Sequence, residues 1–340
     1  MANIIFSESS GINDPVFGKY DTPIKAMIMD YAEPFQSEPV LNSLFAMVES
    51  KHFAEAYSSM TAMEDWAPVG ENGEPKVNGF KVGYTKNIPN LEWKSMFSIS
   101  KTIIEDTNIA ELKSRPKKFV NAFYRTRENL GAALYGGALS GKKTVQIAVG
   151  GGNYQNIDIT GADGEALFST AHKSFTGKGK NQSNMFKDAV SNDAIMAMET
   201  AMQEFKDEDG NRVDVRPDTI VIPNIYTLKK SVFEAIGADK DPATANNGFN
   251  YNFGRWSIIV WGALNDFITE GSAPWMMVDS KFIQDYFAAV FQDRTDMAIR
   301  SEIASNDAMN YYGRARFGAG FTNFRFAAVG GMSSGTQLIG

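Results

Sequence analysis

The stretch from Ser114 to Gly141, SRPKKFVNAFYRTRENLGAALYGGALSG, reads as one long helix. Phe119, Phe123, Leu130 and Leu134 fall on one face at helical spacing. Ser114 is a fair N-cap, and Pro116 sits in the first turn, where its missing N–H costs nothing. Gly131, Ala132, Ala133, Gly136 and Gly137 would let another element pack closely, and Gly141 is a stop. At 1.5 Å per residue the helix is roughly 35–40 Å long.

Outward from this helix the periodicity changes. On its N-terminal side, residues 66–104 read as strands: Phe80, Val82 and Tyr84 alternate with polar residues, and so do Leu91, Trp93, Phe97, Ile99 and Ile103 after the turn at Asn87 to Asn90. A long antiparallel hairpin is expected here, with its tip at either the 70–75 segment or the 87–90 turn. Gly70 to Pro75 carries turn chemistry, and the Gly70–Gly79 region is expected to stay mobile until something covers it. Residues 1–65 are broken by Pro15, Pro23, Pro34 and Pro39 and read as an extended arm. One helix is expected within it, from about Leu41 to Tyr57, on the stripe Leu41, Leu44, Phe45 and Val48.

On the C-terminal side, Lys143–Val149 and Tyr154–Ile159 read as strands around Gly150 to Gly152. A Gly/Lys/Ser-rich loop runs from Gly161 to Asn184, and a second helix from Ser191 to Phe205 buries Ile195, Met198, Met202 and Phe205. From Val215 to about Ser305 the pattern is that of an α/β unit. Thr219–Ile222 is a buried strand, Asn224 caps a helix ending at Gly237, and Trp256–Trp261 and Trp275–Val278 are strands. Strand patterning resumes at Met309 to Val329, and the Gly/Ser tail from Gly330 reads as loose. The order of elements argues for an α+β fold rather than a doubly wound sheet.

Composition narrows the chemistry. The 340 residues contain no cysteine and only two histidines, His52 and His172, which excludes thiol nucleophiles and leaves little for a zinc site. A net charge of −7 does not suit a tight nucleic-acid binder, although such a chain could enclose nucleic acid. The N-terminus lacks a signal-peptide pattern and no apolar run approaches ~20 residues, so a soluble, cytoplasmically made protein is expected.

Several motifs match by letters alone. Gly136 to Lys143 approaches a phosphate-binding loop, but Lys143 stands where a hydroxyl should hold magnesium, and the segment runs helix-to-strand. A helix C-cap is the better reading. Gly331-Met-Ser-Ser-Gly335 matches a nucleophile elbow, but no histidine follows it. Asp207 to Asn211 resembles a calcium loop, yet Arg212 and Asp218 occupy its sixth and twelfth positions, so a charged turn is expected. His172 reads as a structural hydrogen-bonding residue and His52 as a surface or interface one. Most of the 16 methionines read as core filler. No catalytic, cofactor-binding or metal-binding residue is expected.

The sequence of elements (arm, hairpin, long helix, sheet, α/β insertion, return to the sheet) resembles the Hong Kong 97 fold of tailed-bacteriophage major capsid proteins. Tyr84 to Asn87 with Leu91-Glu92-Trp93, running on to Ile103 to Asp106, is similar to Mu-type major head subunits, as is Asp163 to His172 followed by Ser183-Asn184. Pro217 to Pro223 resembles the strand that enters the A-domain of these proteins. The resemblance implies an N-terminal arm at 1–65, an E-loop hairpin at 66–104, a P-domain at 105–214 and 306–340, and an A-domain at 215–305. It implies a shell subunit that assembles in the bacterial host cytoplasm with itself, as hexamers and pentamers of an icosahedral virion. Scaffolding, portal and decoration proteins are the implied partners, and double-stranded DNA is enclosed without sequence-specific binding; no membrane is involved. Some relatives crosslink an E-loop lysine, and Lys76, Lys81 and Lys86 lie in the matching region. An encapsulin-like nanocompartment on the same fold would differ in carrying protein cargo. An unrelated α+β enzyme would need a convergent polar pocket.

Overall fold

A computed structural model describes all residues except 1–3, 7–16, 36–37, 61–65, 67, 75–76, 78, 80–81, 107–108, 150–151, 178–179, 238–248, 270 and 340. The chain opens with strand β1 (Ile4–Phe6) and helix α1 (Phe17–Ala32). The short helix α2 (Pro39–Leu44) leads into β2 (Ala46–Glu49) and β3 (Ala54–Met60). Strands β4 (Val82–Pro89) and β5 (Leu91–Ser100) follow, then α3 (Lys101–Glu105) and the long α4 (Ile109–Leu139). After the pair β6 (Thr144–Val149) and β7 (Asn153–Asp158) comes α5 (Asn192–Gln203). The α/β part holds β8 (Thr219–Pro223), α6 (Tyr226–Ile236), β9 (Ser257–Trp261), β10 (Trp275–Val278) and α7 (Ser280–Tyr286). The chain closes with β11 (Ala289–Ile303), β12 (Ala308–Phe321) and β13 (Ala327–Gly330).

Two sheets carry the core. In the first, β1, β11, β12 and β5 lie in that order, and β2 also pairs with β11. In the second the order is β13, β10, β8, β9. Helix α4 lies along the first sheet: Phe119 packs against Phe97, with ring centroids 5.0 Å apart, and the Phe119 ring also fills the space where Gly313 of β12 lacks a Cβ. Its small residues act as the sequence suggested. Gly131 admits Leu41 and Phe45, Gly136 admits Phe267, and Gly137 admits Val145 and Ile159.

Several expectations are corrected. The described residues within 4–60 are not extended around a single helix at 41–57. Helix α1 forms despite Pro23, because Ile24, Ile28 and Ala32 make a buried stripe. The second helix stops at Leu44, since the next residues join the ladder of β11, with Ala46 opposite Val290. Helix α4 starts five residues earlier than Ser114, so Ser114 is no cap and Pro116 lies inside the helix. Its 31 residues span about 46 Å at 1.5 Å per residue.

Of the two turns open to the 66–104 hairpin, 87–90 is not a tip. Strands β4 and β5 do not pair with each other: β4 pairs antiparallel with β3, and β5 with β12. Between β4 and β5 the chain turns at Asn90, whose amide donates to Ser50 Oγ and the His52 carbonyl and whose N–H donates to Phe53 O. A Cβ on Gly318 would collide with the Pro89 carbonyl, so the glycine permits this close passage.

Within 215–305, β8, β9 and β10 form the second sheet, which β13 rejoins, while β11 belongs to the first. Asn224 does not cap α6: the N-cap is Ile225, and Asn224 Oδ1 accepts from Lys229 Nζ instead. The tail is not loose. Leu338 and Ile339 donate their N–H groups to the Asp188 carboxylate, and Thr336 N–H donates to Met185 O.

Candidate functional site

The tempting motifs resolve into structure. Gly136 to Lys143 is the C-terminal end of α4, with Gly141 at φ 66° and Lys142 N–H donating to Gly137 O. Gly331 and Gly335 are packed against Ala273 and the Phe186 backbone, with no helix after them. The Asp207 carboxylate accepts from the N–H groups of Asp209 and Asn211, closing the charged turn around Gly210. Among the described residues no group of three or more acidic, His or Cys side chains is placed to hold a metal. No described helix is long and apolar enough to cross a membrane.

His172 is buried and stacked on Phe324 with ring centroids 3.7 Å apart. Its Nδ1 lies 2.6 Å from Asp163 Oδ2 and its Nε2 3.1 Å from Asn184 Oδ1. The Asn184 amide is oriented by donating to the Leu167 and Ala327 carbonyls, so both histidine nitrogens face acceptors. His172 thus pins the 161–184 loop to the end of the second sheet. His52 is exposed, and its carbonyl receives the Asn90 amide.

A buried charge cluster escaped the sequence reading. Arg127, on the apolar stripe of α4, is 1% exposed. It donates through Nε to Glu38 Oε1 at 2.8 Å and as a fork to Asp293 at 2.5 and 3.0 Å. The rings of Phe291 and Phe317 lie 4.5 and 5.1 Å from its guanidinium carbon. Burial works against the Arg127 charge, but the two carboxylates hold its pKa above the ordinary value. Burial pushes the Glu38 carboxyl above its usual range, more than Arg127 pulls it down. Glu38 has positive φ, 37°, and its Oε2 finds no partner. The cluster ties the N-terminal segment, α4 and β11 together. An arginine standing in a row with Phe123, Leu130 and Leu134 was the available signal.

The β3–β4 hairpin is anchored at its base and bare toward its tip. Lys86 Nζ is buried and donates to Asp158 Oδ2 at 2.6 Å and Thr160 Oγ1 at 2.9 Å, so it is held inside the subunit. Lys76 and Lys81 lie outside the described residues. The Tyr84 ring meets Phe175 edge-on at 5.0 Å, and Tyr57 donates to Gln292. Burial pushes the Tyr57 hydroxyl up to about 12. Toward the tip, Trp66 is 93% and Val77 94% exposed. Between the hairpin base and α7 runs an open groove of about 610 Å³, lined among others by Tyr57, Asp207, Arg212, Tyr286 and Thr322. No histidine lines it, and no nucleophile–base pair converges there.

The comparisons with known proteins agree with this architecture. The sequence profile of the phage capsid protein family matches residues 85–330, more than two thirds of the chain. No curated protein matches. Among solved structures, the capsid of Ralstonia phage GP4 superimposes with a TM-score of 0.54 at 13% identity, covering 85% of this chain and 87% of the other. A chain of Mycobacterium phage Patience superimposes with a TM-score of 0.50 at 10% identity, covering 100% of this chain and 95% of its own. Identities this low carry the fold alone.

The long helix laid along one sheet, the α/β unit and the hairpin bare toward its tip make up the fold that these phage chains share. The chain belongs to the phage capsid protein family: it is a major capsid subunit of the Hong Kong 97-like fold that self-assembles into a virion shell.

Proposed function

We propose that copies of this chain join as hexamers and pentamers of an icosahedral shell that encloses double-stranded phage DNA, and that the protein performs no catalysis. The observation that carries the reading is the hairpin. Its base is fixed by Lys86 and Tyr84, while Trp66 and Val77 face solvent almost completely. Isolated two-stranded hairpins are marginal in water, so these apolar side chains need a surface outside the subunit. In this reading residues 1–65 are the N-terminal arm, 105–214 and 306–340 the P-domain and 215–305 the A-domain. The E-loop predicted at 66–104 takes its strands from 54–89. Scaffolding, portal and decoration proteins complete the particle, which assembles in the host cytoplasm. The acidic balance of −7 suits enclosing DNA rather than gripping it.

The test is assembly. Purified subunit, alone or with its scaffold, is followed by light scattering and imaged by electron microscopy. Closed particles of uniform size are expected. A strictly monomeric state under all assembly conditions would overturn the reading, and particles carrying a protein cargo without DNA would indicate a nanocompartment instead.

A further inference from the structure

Residues 249–255, FNYNFGR, alternate in an unusual way. Phe249, Tyr251 and Phe253 are exposed, at 78%, 51% and 44%, while Asn250 and Asn252 between them are fully buried. The two asparagines act as clamps. Asn250 Nδ2 donates to Ala235 O at 2.8 Å, which places the loop against the last turn of α6, beside the exposed Phe233. Asn250 Oδ1 accepts from Asn252 N–H at 3.0 Å. The Asn252 amide donates to the carbonyls of Asn192, at the start of α5, and its Oδ1 accepts from Trp256 Nε1 at 3.1 Å. Arg255 then locks the far end. It forks onto Glu199 of α5 at 2.6 and 3.0 Å and lies over the Tyr251 ring at 4.1 Å.

The result is a row of aromatic rings turned outward on a loop whose two asparagine side chains bond inward. Rigid aromatic side chains lose little conformational entropy on being covered, which makes them favoured anchors at protein interfaces. The row runs directly into β9, the end strand of the second sheet. Among the described residues β9 pairs only with β8, whereas the opposite end strand, β13, is covered by Met185 and Phe186. Among the described residues the sheet therefore has one closed edge and one open edge, and the aromatic row flanks the open one.

We propose that this row and the open edge of β9 form a contact between neighbouring copies of this chain in the shell, with Phe249, Tyr251 and Phe253 as its anchors. The inference rests on the assembly reading above and names the surface that the assembly uses. Area supports a second copy as the occupant. Four rings exposed at about half or more offer roughly 400–500 Å² of apolar surface, close to half of the ~800 Å² that each partner of a stable interface buries, and the neighbouring strand edge adds to it. A patch of this size matches the largest apolar patch that a typical monomer exposes, and such patches are often functional. The contact is heterologous: the row on one copy meets a different surface on the next, as a closed ring of identical subunits requires.

The chain has no cysteine, so a single Phe249→Cys substitution gives one addressable thiol. Its reaction with a maleimide dye is timed in dispersed subunits and in assembled shells. Labelling at least tenfold slower in shells is expected, and equal rates would overturn the proposal. Failure of Phe249→Cys to assemble while its melting is unchanged would support it equally. A second variant replaces Phe249, Tyr251 and Phe253 together with serine. Shell yield is expected to fall more than tenfold with subunit melting unchanged, and wild-type yield would overturn the proposal. If this variant loses its melting transition, the labelling result decides. If the wild-type chain itself never forms shells, the assembly reading fails, and that outcome is distinct from intact shells with an accessible Cys at 249.

Discussion

From Leu130 to Leu139 every residue of α4 is buried, whereas every described residue between Trp66 and Gly79 is exposed. Both stretches carry apolar side chains and glycines, yet one is completed inside the subunit and the other is not. The helix segment finds Leu41, Phe45, Phe267, Val145 and Ile159 waiting at its glycines. Trp66 and Val77 remain in water. On the proposed function, the helix segment governs whether the subunit folds and the hairpin tip governs how the folded subunit assembles. Substitutions in the two regions should separate cleanly into folding and assembly phenotypes.

The largest effect is expected at Leu130, which is 2% exposed. Leu130→Asp places an unpaired charge in the core at a cost of about 4 kcal/mol or more. The subunit should be insoluble, and a soluble product with normal melting by circular dichroism would break the contrast. Next is Arg127. Arg127→Met leaves Glu38 and Asp293 buried without their cation and should cost about 3–5 kcal/mol in denaturant titration.

Glu38→Gln should behave differently from Arg127→Met. Because the folded-state pKa of Glu38 lies above its ordinary 4.5, the folded chain holds that proton more tightly than the unfolded chain. The stability this lends is complete below the ordinary value and lost as pH rises through the raised one. The wild-type melting temperature minus that of Glu38→Gln should therefore fall as pH rises above the ordinary value of 4.5, and a flat difference would show that burial does not control this carboxylate.

The smallest effect on the subunit is expected at the tip. Trp66→Ser should change unfolding free energy by less than about 0.5 kcal/mol, while shell yield drops. The same region should be cut first by a glutamate-specific protease, at Glu71 or Glu74, in dispersed subunits. In shells those bonds should be cleaved at least about tenfold more slowly, and equal rates would remove the hairpin from the assembly contacts.

Much of the chain was legible without coordinates. The long helix, strands β6 and β7, helix α5 and the short strands of the α/β unit all follow from local period and turn chemistry. So does the dismissal of the phosphate-loop and nucleophile-elbow matches, because both require a strand-to-helix order that the neighbouring residues contradict. The alternation of buried Asn250 and Asn252 with exposed aromatics was present in the letters, but only contacts to Ala235 and Asn192 show which side faces in.

The sequence by itself determined where most elements lie and which faces are apolar, since a period of 2 or 3.6 is written in neighbouring residues. Tertiary structure alone decided the partners. Strands β4 and β5 read as two arms of one hairpin, but the break at Asn90 is held by Ser50, His52 and Phe53, and each strand pairs elsewhere. Likewise β11 continues directly from the α/β unit and yet joins the other sheet, where Asp293 meets Arg127 across 166 positions of sequence. Strand period sets the face a side chain takes and is silent about which backbone lies alongside. That choice depends on which alignment fills the core and satisfies its buried polar groups at once.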